Sequence, residues 1–274
     1  MKRFILAFLL SIPFVLIAQR RPKIKGNRSV IEVTQELPPF NALELVDNLE
    51  VTLKKSFGEE VSITADDNLV DVLKFEVVDS TLVISSFYDI VSKKKLDITV
   101  GYKELKSITL KDGKVEGNGL LASDELYVST FGRSELKLDT SGFFAEIVAE
   151  DTSKLEMNVD VDSLVVGMRQ RSDGFLYLTG GSTQLTLEEN ASLTAEGTTE
   201  YSTITMTSNS KLKADRLETA EASLVAKASA FARINAYRTF SLNAEADSRT
   251  HLYGNPKITI HAFLDRAQLV KKED

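Results

Sequence analysis

Residues 147–172 read IVAEDTSKLEMNVDVDSLVVGMRQRS and hold slightly more than one period of a nineteen-residue repeat. Ser153 and Ser172 mark the same position in consecutive copies. The marker recurs through seven copies without a gap, at Ser134, Ser153, Ser172, Ala191, Ser210, Ser229 and Ser248. Gapless repetition at this period predicts a solenoid, in which each copy is one structural unit stacked on the next.

Three further columns accompany the marker. Two residues after it stand Leu136, Leu155, Gly174, Leu193, Leu212, Phe231 and Thr250. Six residues before it stand Val128, Ile147, Val166, Leu185, Ile204, Ser223 and Leu242, and four before it stand Thr130, Ala149, Met168, Leu187, Met206, Val225 and Ala244. These columns alternate with outward positions, so each copy is predicted to be a strand, a corner and a second strand. The fold class is therefore all-β, a single-stranded parallel β-helix with about nineteen residues per coil.

The sixth copy departs from this register. Ser223 stands in a column that is apolar elsewhere, and alanines accumulate after it. Two interpretations remain open from the sequence: the interior narrows towards the end, or a slip of one residue places Leu224 inward instead of Ser223. The unslipped register sets Thr203, Thr205 and Thr207 beside Ala222, Leu224 and Ala226, so the threonines are not expected to extend into a flat face.

The N-terminus predicts a secretory signal peptide over 1–18. Lys2 and Arg3 precede an apolar run that is shorter than the roughly 20 residues of a membrane-spanning helix, and Ala18 offers a small residue before cleavage. Residues 19–35 are basic and show no apolar period, which predicts a flexible leader. The chain is therefore expected to be exported, to a periplasmic, outer-surface or extracellular location, with no membrane span in the mature chain.

The remaining chain, 36–274, is predicted to be one β domain. Over 36–104 strands recur at irregular spacing, which predicts a β cap with the first strands, including a hairpin at Val78-Asp79-Ser80. The β-helix is predicted over 105–258. One last strand is predicted over 257–263. Residues 259–274 are predicted to form a C-terminal cap and tail, with an apolar stretch from Leu264 to Val270 lying across the end.

Composition limits the classes of function. Thirty-three basic and 40 acidic residues give a net charge of −7 without a basic block, which argues against a nucleic-acid surface. The chain has no cysteine, so disulfides are excluded and stability must come from stacking. These features are typical of an acidic exported protein, and they leave its partner and oligomeric state open.

Aspartates, histidines and arginines are the candidate site residues of this chain. Asp139, Asp160 and Asp162 are the carboxylates that a polysaccharide lyase or hydrolase would need, but they do not fall in one column of the repeat. His251 and His261 have no cysteine or spaced carboxylate to complete a metal site. The cations that could face an acidic glycan are Arg169, Arg171, Arg233 and Arg238. The sequence therefore predicts no catalytic, cofactor-binding or metal-binding residue.

Several phrases resemble a known family. They are Asp47-Asn48-Leu49-Glu50-Val51-Thr52-Leu53, Ala65-Asp66-Asp67-Asn68-Leu69 and Val100-Gly101-Tyr102-Lys103-Glu104-Leu105. Over roughly 40–253 the chain resembles the putative auto-transporter adhesin, head GIN domain family of secreted Bacteroidetes-type proteins. The resemblance implies a right-handed parallel β-helix at the cell envelope. The family's corner motif is Ser-Gly-x-Gly. Most corners of this chain have only Ser-x, and Gly132, Gly142 and Gly174 are the glycines of the motif that remain.

The expected function is that of a non-enzymatic, adhesin-like binding or structural module. A stiff surface with a repeating pattern favours many weak contacts to a repetitive partner, such as a polysaccharide or an envelope protein. Two alternatives stay open: a carbohydrate-active lyase or hydrolase on the same scaffold, and an assembly protein whose coil ends join protomers.

Overall fold

The computed structural model describes residues 21–273, so the predicted signal peptide at 1–18 lies outside the described residues. Before the long strands the elements are β1 (Lys23–Lys25), β2 (Val30–Glu36), β3 (Ala42–Leu45), β4 (Glu50–Lys55), β5 (Glu60–Asp66), α1 (Asp67–Val70), β6 (Leu73–Val78), β7 (Thr81–Ser86), β8 (Asp89–Ser92), β9 (Leu96–Tyr102), β10 (Ser107–Leu110), β11 (Lys114–Ala122) and β12 (Glu125–Thr130). They are followed by β13 (Glu135–Ala149), β14 (Lys154–Met168), β15 (Asp173–Leu187), β16 (Ser192–Met206), β17 (Lys211–Ala226), β18 (Phe231–Ala244), β19 (Arg249–Tyr253), β20 (Lys257–Phe263) and β21 (Gln268–Lys271).

These strands form a parallel β-solenoid of about nine turns with about 19 residues per coil, preceded by a mixed sheet region, as predicted. Each coil is one long strand that bends near its middle, followed by a four-residue turn. In β14 the side chains of Leu155, Met157, Val159 and Val161 point inward, and the phase shifts at the bend before Leu164. Strict alternation on both sides of the bend gives every coil two strips of core residues.

The coils stack as two ladders. Ladder A contains β9, β4, β11, the first halves of β13 to β18, then β19 and β21. Ladder B contains β7, β3, β10, β12, the second halves of β13 to β18, then β20. One inward column of ladder B runs through Leu82, Leu43, Ile108, Val128, Ile147, Val166, Leu185, Ile204, Leu224, Leu242 and Ile260.

The solenoid begins earlier than the predicted boundary at 105. The strands β3 and β4 already pair in parallel with β10 and β11, and β7 and β9 add one more layer on their other side. The β3 and β4 layer therefore comes first in the sequence, and strands from later in the chain pair with it on both sides. Such pairing joins residues far apart in sequence, so no fixed period in the sequence marks it.

Antiparallel strands cover the N-terminal end of both ladders. β6 pairs with β7 through a hairpin at Asp79-Ser80, close to the predicted one, and β5 pairs with β9. β2 pairs with β5 along its whole length, from Val30 to Glu36. β1 and β8 form a separate, parallel two-stranded sheet. The prediction of a flexible leader over 19–35 is therefore wrong for these strands. Their side chains are mostly exposed, and backbone pairing of an edge strand leaves no apolar period to read.

The corner residues turn inward. The hydroxyls of Ser134, Ser153 and Ser172 are buried, and each donates to the backbone oxygen three residues earlier, over 2.7 to 2.9 Å. This is the local backbone bonding that a small polar corner residue was predicted to make. Each turn also holds one residue with left-handed φ, at Gly132, Asp151, Gln170, Glu189, Ser208, Ala228, Ala246 and Asp265.

The sixth copy contains the one-residue slip. Lys211 pairs with Phe231, twenty residues on, and Phe231 with Arg249, eighteen residues on. The buried residues of this copy are consequently Leu224, Ala226, Ala230 and Ala232. Ser223, Val225, Ser229 and Phe231, which the strict period would turn inward, are not among them. The extra residue in one coil is removed in the next, which restores the register at Ser248.

The C-terminal residues continue the solenoid. β20 pairs in parallel with β18 and β21 pairs in parallel with β19. The predicted last strand over 257–263 is present as β20, whose apolar alternation at Ile258 and Ile260 supports another coil. The predicted cap from Leu264 to Val270 is wrong for β21, which begins at Gln268 and stacks on β19 instead of crossing the end.

Candidate functional site

The two ladders present outward faces of different character. The outward residues of ladder A from β13 to β19, the charged face, include an acidic or basic side chain in every coil, and in β13 and β14 the two signs alternate. The outward residues of ladder B in β14 to β18, the neutral face, are Ser163, Val165, Gly167, Ser182, Gln184, Thr186, Tyr201, Thr203, Thr205, Glu221, Ser223, Val225, Thr239, Ser241 and Asn243. Glu221 is the one ionisable carboxylate among them.

The neutral face revises the expectation about the threonines. Because of the slip, the strand next to Thr203 and Thr205 presents Ser223 and Val225, not Ala222 and Leu224. Thr186 and Gln184 lie on the other side. Small, uncharged side chains therefore extend over neighbouring coils, although hydroxyls alternate there with valine, glycine and amide groups.

A groove of about 560 Å³ lies on the charged face, across β11 to β16. Three lysines and three glutamates line it in pairs: Lys114 with Glu116 at 3.3 Å, Lys137 with Glu156 at 2.8 Å, and Lys154 with Glu135 at 3.6 Å. The second and third pairs join neighbouring coils. Exposed ion pairs of this kind contribute only about 0–1 kcal/mol to stability, so stability alone does not account for the array.

Charge within the groove is tightly coupled. A hydrogen bond to Glu156, together with the negative charge of that residue, raises the pKa of Lys137 above its ordinary value. Glu116 and Asp139 act in the same direction. A lysine is protonated at neutral pH in any case, so the groove presents ammonium donors beside carboxylate acceptors.

Two aromatic rings stand at one side of the groove. Phe175 lines it and Tyr177 follows two residues later on the same face of β15, with 37% and 50% of their surfaces exposed. Phe175 continues the column of Lys137 and Glu156, and Tyr177 continues that of Asp139 and Asn158. Side chains two residues apart in a strand lie about 6.8 Å from each other, so the two rings, named the ring platform, are neighbours on this face.

These aromatic residues were missed in the sequence, although a signal for them exists. The repeat identifies inward columns, whereas Phe175 and Tyr177 occupy outward positions, three and five residues after Ser172. A large ring in an outward column whose other members are charged or polar is the feature that identifies them.

The three candidate aspartates do not meet. Asp139 accepts a hydrogen bond from the Asn158 side chain at 2.6 Å, Asp160 pairs in register with Ser141 and Thr179, and Asp162 lies at the bend of β14. This confirms that they occupy different columns. The pair of facing carboxylates that glycoside hydrolysis uses is not formed by them.

The candidate cations and imidazoles fall into separate groups. Arg169 pairs with Glu150 at 3.0 Å in a turn that also contains Arg171, and Arg238 pairs with Glu221 at 3.5 Å near the bend of β18. On the charged face, Arg233 lies over the ring of Phe231, and His251 meets the same ring edge to face with centroids 5.1 Å apart. His261 is in β20 of ladder B, whereas His251 is in β19 of ladder A.

Within residues 21–273, no group of three acidic or histidine side chains is placed to hold a metal ion. Over the same residues no helix is long and apolar enough to cross a membrane.

Comparison with known proteins agrees with this architecture. Residues 39–176 and 144–256 match the model of the family described as putative auto-transporter adhesin, head GIN domain. None of the curated proteins matches the chain.

Solved structures share the fold at low sequence identity. A putative adhesin from Parabacteroides distasonis superposes with a TM-score of 0.67 at 15% identity, covering 91% of this chain and 100% of that one. A putative adhesin from Parabacteroides merdae gives 0.65 at 16% identity, covering 92% and 99%. A putative lipid binding protein from Parabacteroides distasonis gives 0.62 at 17% identity, covering 92% and 98%.

Proposed function

The chain belongs to the putative auto-transporter adhesin, head GIN domain family, and we propose that it is an exported, non-enzymatic binding module that holds a polysaccharide or an envelope protein on its charged face. The observation that carries the proposal is the groove, with the ring platform of Phe175 and Tyr177 beside paired lysines and glutamates. Export is supported by the family description and by the predicted signal peptide.

The chemistry of the groove favours a ligand rich in hydroxyl groups. A sugar hydroxyl both donates and accepts hydrogen bonds, and each ion pair offers an ammonium donor next to a carboxylate acceptor. The exposed faces of Phe175 and Tyr177 provide apolar area for the carbon face of a sugar ring, or for an apolar side chain of a protein partner. No base or nucleophile is needed for such binding.

The solenoid adds repetition to this chemistry. Neighbouring coils lie about 4.8 Å apart, so equivalent groups recur at short, regular intervals along the axis. A ligand with its own repeat can meet several coils at once, and weak contacts then combine into a stable association.

A glycan array and a pull-down from envelope extract test the proposal, using the purified protein, a Phe175→Ala/Tyr177→Ala variant, and a Tyr201→Ala control. Tyr201 is 47% exposed on the neutral face, so its removal deletes a comparable ring elsewhere. We expect the double variant to lose at least about tenfold in affinity, or 1.4 kcal/mol, and the control to bind normally.

Two outcomes contradict the proposal. Equal binding by the double variant and the wild type would remove the charged face as the site. Depolymerisation of a bound polysaccharide would favour the carbohydrate-active alternative over a binding module.

A further inference from the structure

The C-terminal end of the solenoid exposes residues that every other coil buries. Ile258, Ile260 and Phe263 pair in register with buried Phe240, Leu242 and Ala244, yet they are between 43% and 49% exposed. The inward column of β20 therefore ends in a patch of uncovered apolar side chains, the end patch, defined by these three residues.

Backbone groups at this end also lack partners in one direction. β20 pairs with β18 and β21 pairs with β19, and among residues 21–273 no strand pairs with their outer edges. The end thus has both features of a surface between two coils: a row of apolar side chains and a strand edge with free N–H and C=O groups.

The opposite end cannot cover this surface. There, β6 and β5 lie antiparallel on β7 and β9, and β2 lies on β5, so the inward residues of the first layer, from Leu82 to Val100, are buried. Head-to-tail addition would require this cap to be displaced. Within the described chain, the surface that offers a matching open edge is the same end of another molecule.

The geometry points to a second copy of this chain as the occupant, and we propose that two copies associate through their C-terminal ends into a closed, tail-to-tail dimer. A two-fold axis reverses strand direction, so the two edges meet antiparallel. Antiparallel pairing of the two β20 strands brings Lys257 of each copy towards the end of the other strand, where Asp265 follows. Opposite charges then meet at both rims of the contact.

The apolar area fits a small, weak contact. Three large side chains that are about half exposed offer on the order of 300 Å² per copy, taking about 200 Å² for each whole side chain. Small interfaces bury less than about 600 Å² per partner, of which about 57% is apolar, which is also on the order of 300 Å². The association closes after two copies because each end patch is used once.

The dimer goes beyond the proposed binding function and does not depend on it. It would place two charged faces on one continuous rod, which gives a repetitive ligand two points of attachment.

The first experiment is size-exclusion chromatography with light scattering, on the wild type, an Ile260→Asp variant and a Val78→Asp control. Val78 is 54% exposed at the N-terminal end, so the control adds the same charge at a comparable position on the capped side. We expect twice the monomer mass for the wild type and the control at about 50 µM, and the monomer mass for Ile260→Asp. A wild type that remains monomeric at this concentration, or a dimer that persists in Ile260→Asp, overturns the proposal.

The second experiment uses the absence of cysteine from the chain. A single Ile260→Cys substitution places one thiol near the two-fold axis, and Val78→Cys places one at the other end. Side chains opposite each other across antiparallel strands have Cβ atoms about 4.5–5.5 Å apart, close enough for a disulfide after small movement. We expect mild oxidation to cross-link Ile260→Cys at least about tenfold faster than Val78→Cys, and equal rates contradict the tail-to-tail contact.

Discussion

The two ends of ladder B place members of one column in opposite surroundings. Leu82 begins the column under the antiparallel strand β6 and is fully buried, whereas Ile260 ends it and is 49% exposed. The residues of a repeat specify how one coil packs on the next, and they do not limit how many coils can be added. An end therefore needs sequence outside the repeat, and within residues 21–273 the N-terminal end has such sequence in β2, β5 and β6.

The two ends should also differ in how cooperatively they unfold. Near the N-terminus the β3 and β4 layer is enclosed between strands that come later in the chain, so it cannot open without disturbing several elements. β20 and β21 contact only the coil before them. Solenoids are stabilised by contacts between neighbouring repeats, so the C-terminal coil should open first.

The largest expected effect is a difference between two substitutions in the same column. Leu82→Ala should lower the free energy of unfolding by about 2–5 kcal/mol, because it leaves a cavity in a fully packed layer. Ile260→Ala should cost about 1 kcal/mol or less, because half of its surface is already in contact with water. Urea denaturation followed by circular dichroism, at protein concentrations that keep the chain monomeric, measures both.

Equal losses in the two variants would mean that Ile260 is covered in solution. Repeating the measurement at a concentration that favours dimers separates the causes, since a tail-to-tail contact increases the cost of Ile260→Ala and leaves that of Leu82→Ala unchanged.

Hydrogen exchange tests the order of opening directly. In the monomeric Ile260→Asp variant, backbone amides of β20 should exchange at least about tenfold faster than those of β3, a difference of about 1.4 kcal/mol in opening free energy. Mass spectrometry of peptides that cover 257–263 and 42–45 makes the comparison. Slower exchange in β20 than in β3 would show that the C-terminal coil is not the weaker end.

Much of this comparison could be predicted from the sequence, because stacking requires equivalent residues to recur. The period predicted the parallel β-solenoid and the inward columns, and it marked the sixth copy as the place where either the interior narrows or the register slips. The structure has the slip, which turns Leu224 inward in place of Ser223. Burying a leucine is favoured over burying a serine because it removes more apolar area from water.

The rest depends on contacts that leave no local pattern. β2 pairs with β5 through its backbone, and most of its side chains are exposed. Its sequence therefore resembles that of a flexible leader. β20 has the alternation of a strand and was predicted as one, whereas the stretch from Leu264 to Val270 was predicted as a cap because it follows the last strand of the pattern. The groove was missed because its residues come from consecutive coils, and Phe175 belongs to it through register with Glu156.

A smaller effect concerns the turn column. Ala246, near the C-terminal end, has φ of 58°, a left-handed conformation that costs residues other than glycine about 1 kcal/mol. Ala246→Gly should relieve this cost and stabilise the protein by about 0.5–1 kcal/mol in urea denaturation. Gly132, nearer the N-terminal end, already occupies the same column with φ of 62°.

Gly132→Ala is the matched reverse substitution. A methyl group there would lie 2.5 Å from the backbone oxygen of Lys111, so we expect a loss larger than the gain at Ala246. A gain in Gly132→Ala, or a loss in Ala246→Gly, would show that side-chain contacts in the turns outweigh backbone strain.

The smallest expected effect is a pH dependence at the open end. Burial lowers the pKa of His251 below its ordinary 6.5, and the charges of Lys272 and Arg233 act in the same direction. The unfolded chain, with the ordinary pKa, therefore binds a proton more readily than the folded chain once the pH falls below 6.5. Stability should be unaffected by this group above that pH and should decrease below it, until the folded imidazole is also protonated.

Urea midpoints at pH 7.5 and pH 5.5 should consequently differ more in the wild type than in His251→Gln. The loss of the Phe231 ring contact in the variant is the same at both pH values, so it cancels in this difference. A decrease that is equal in the two proteins would assign the pH dependence to carboxylates elsewhere and leave the open end without a titrating group.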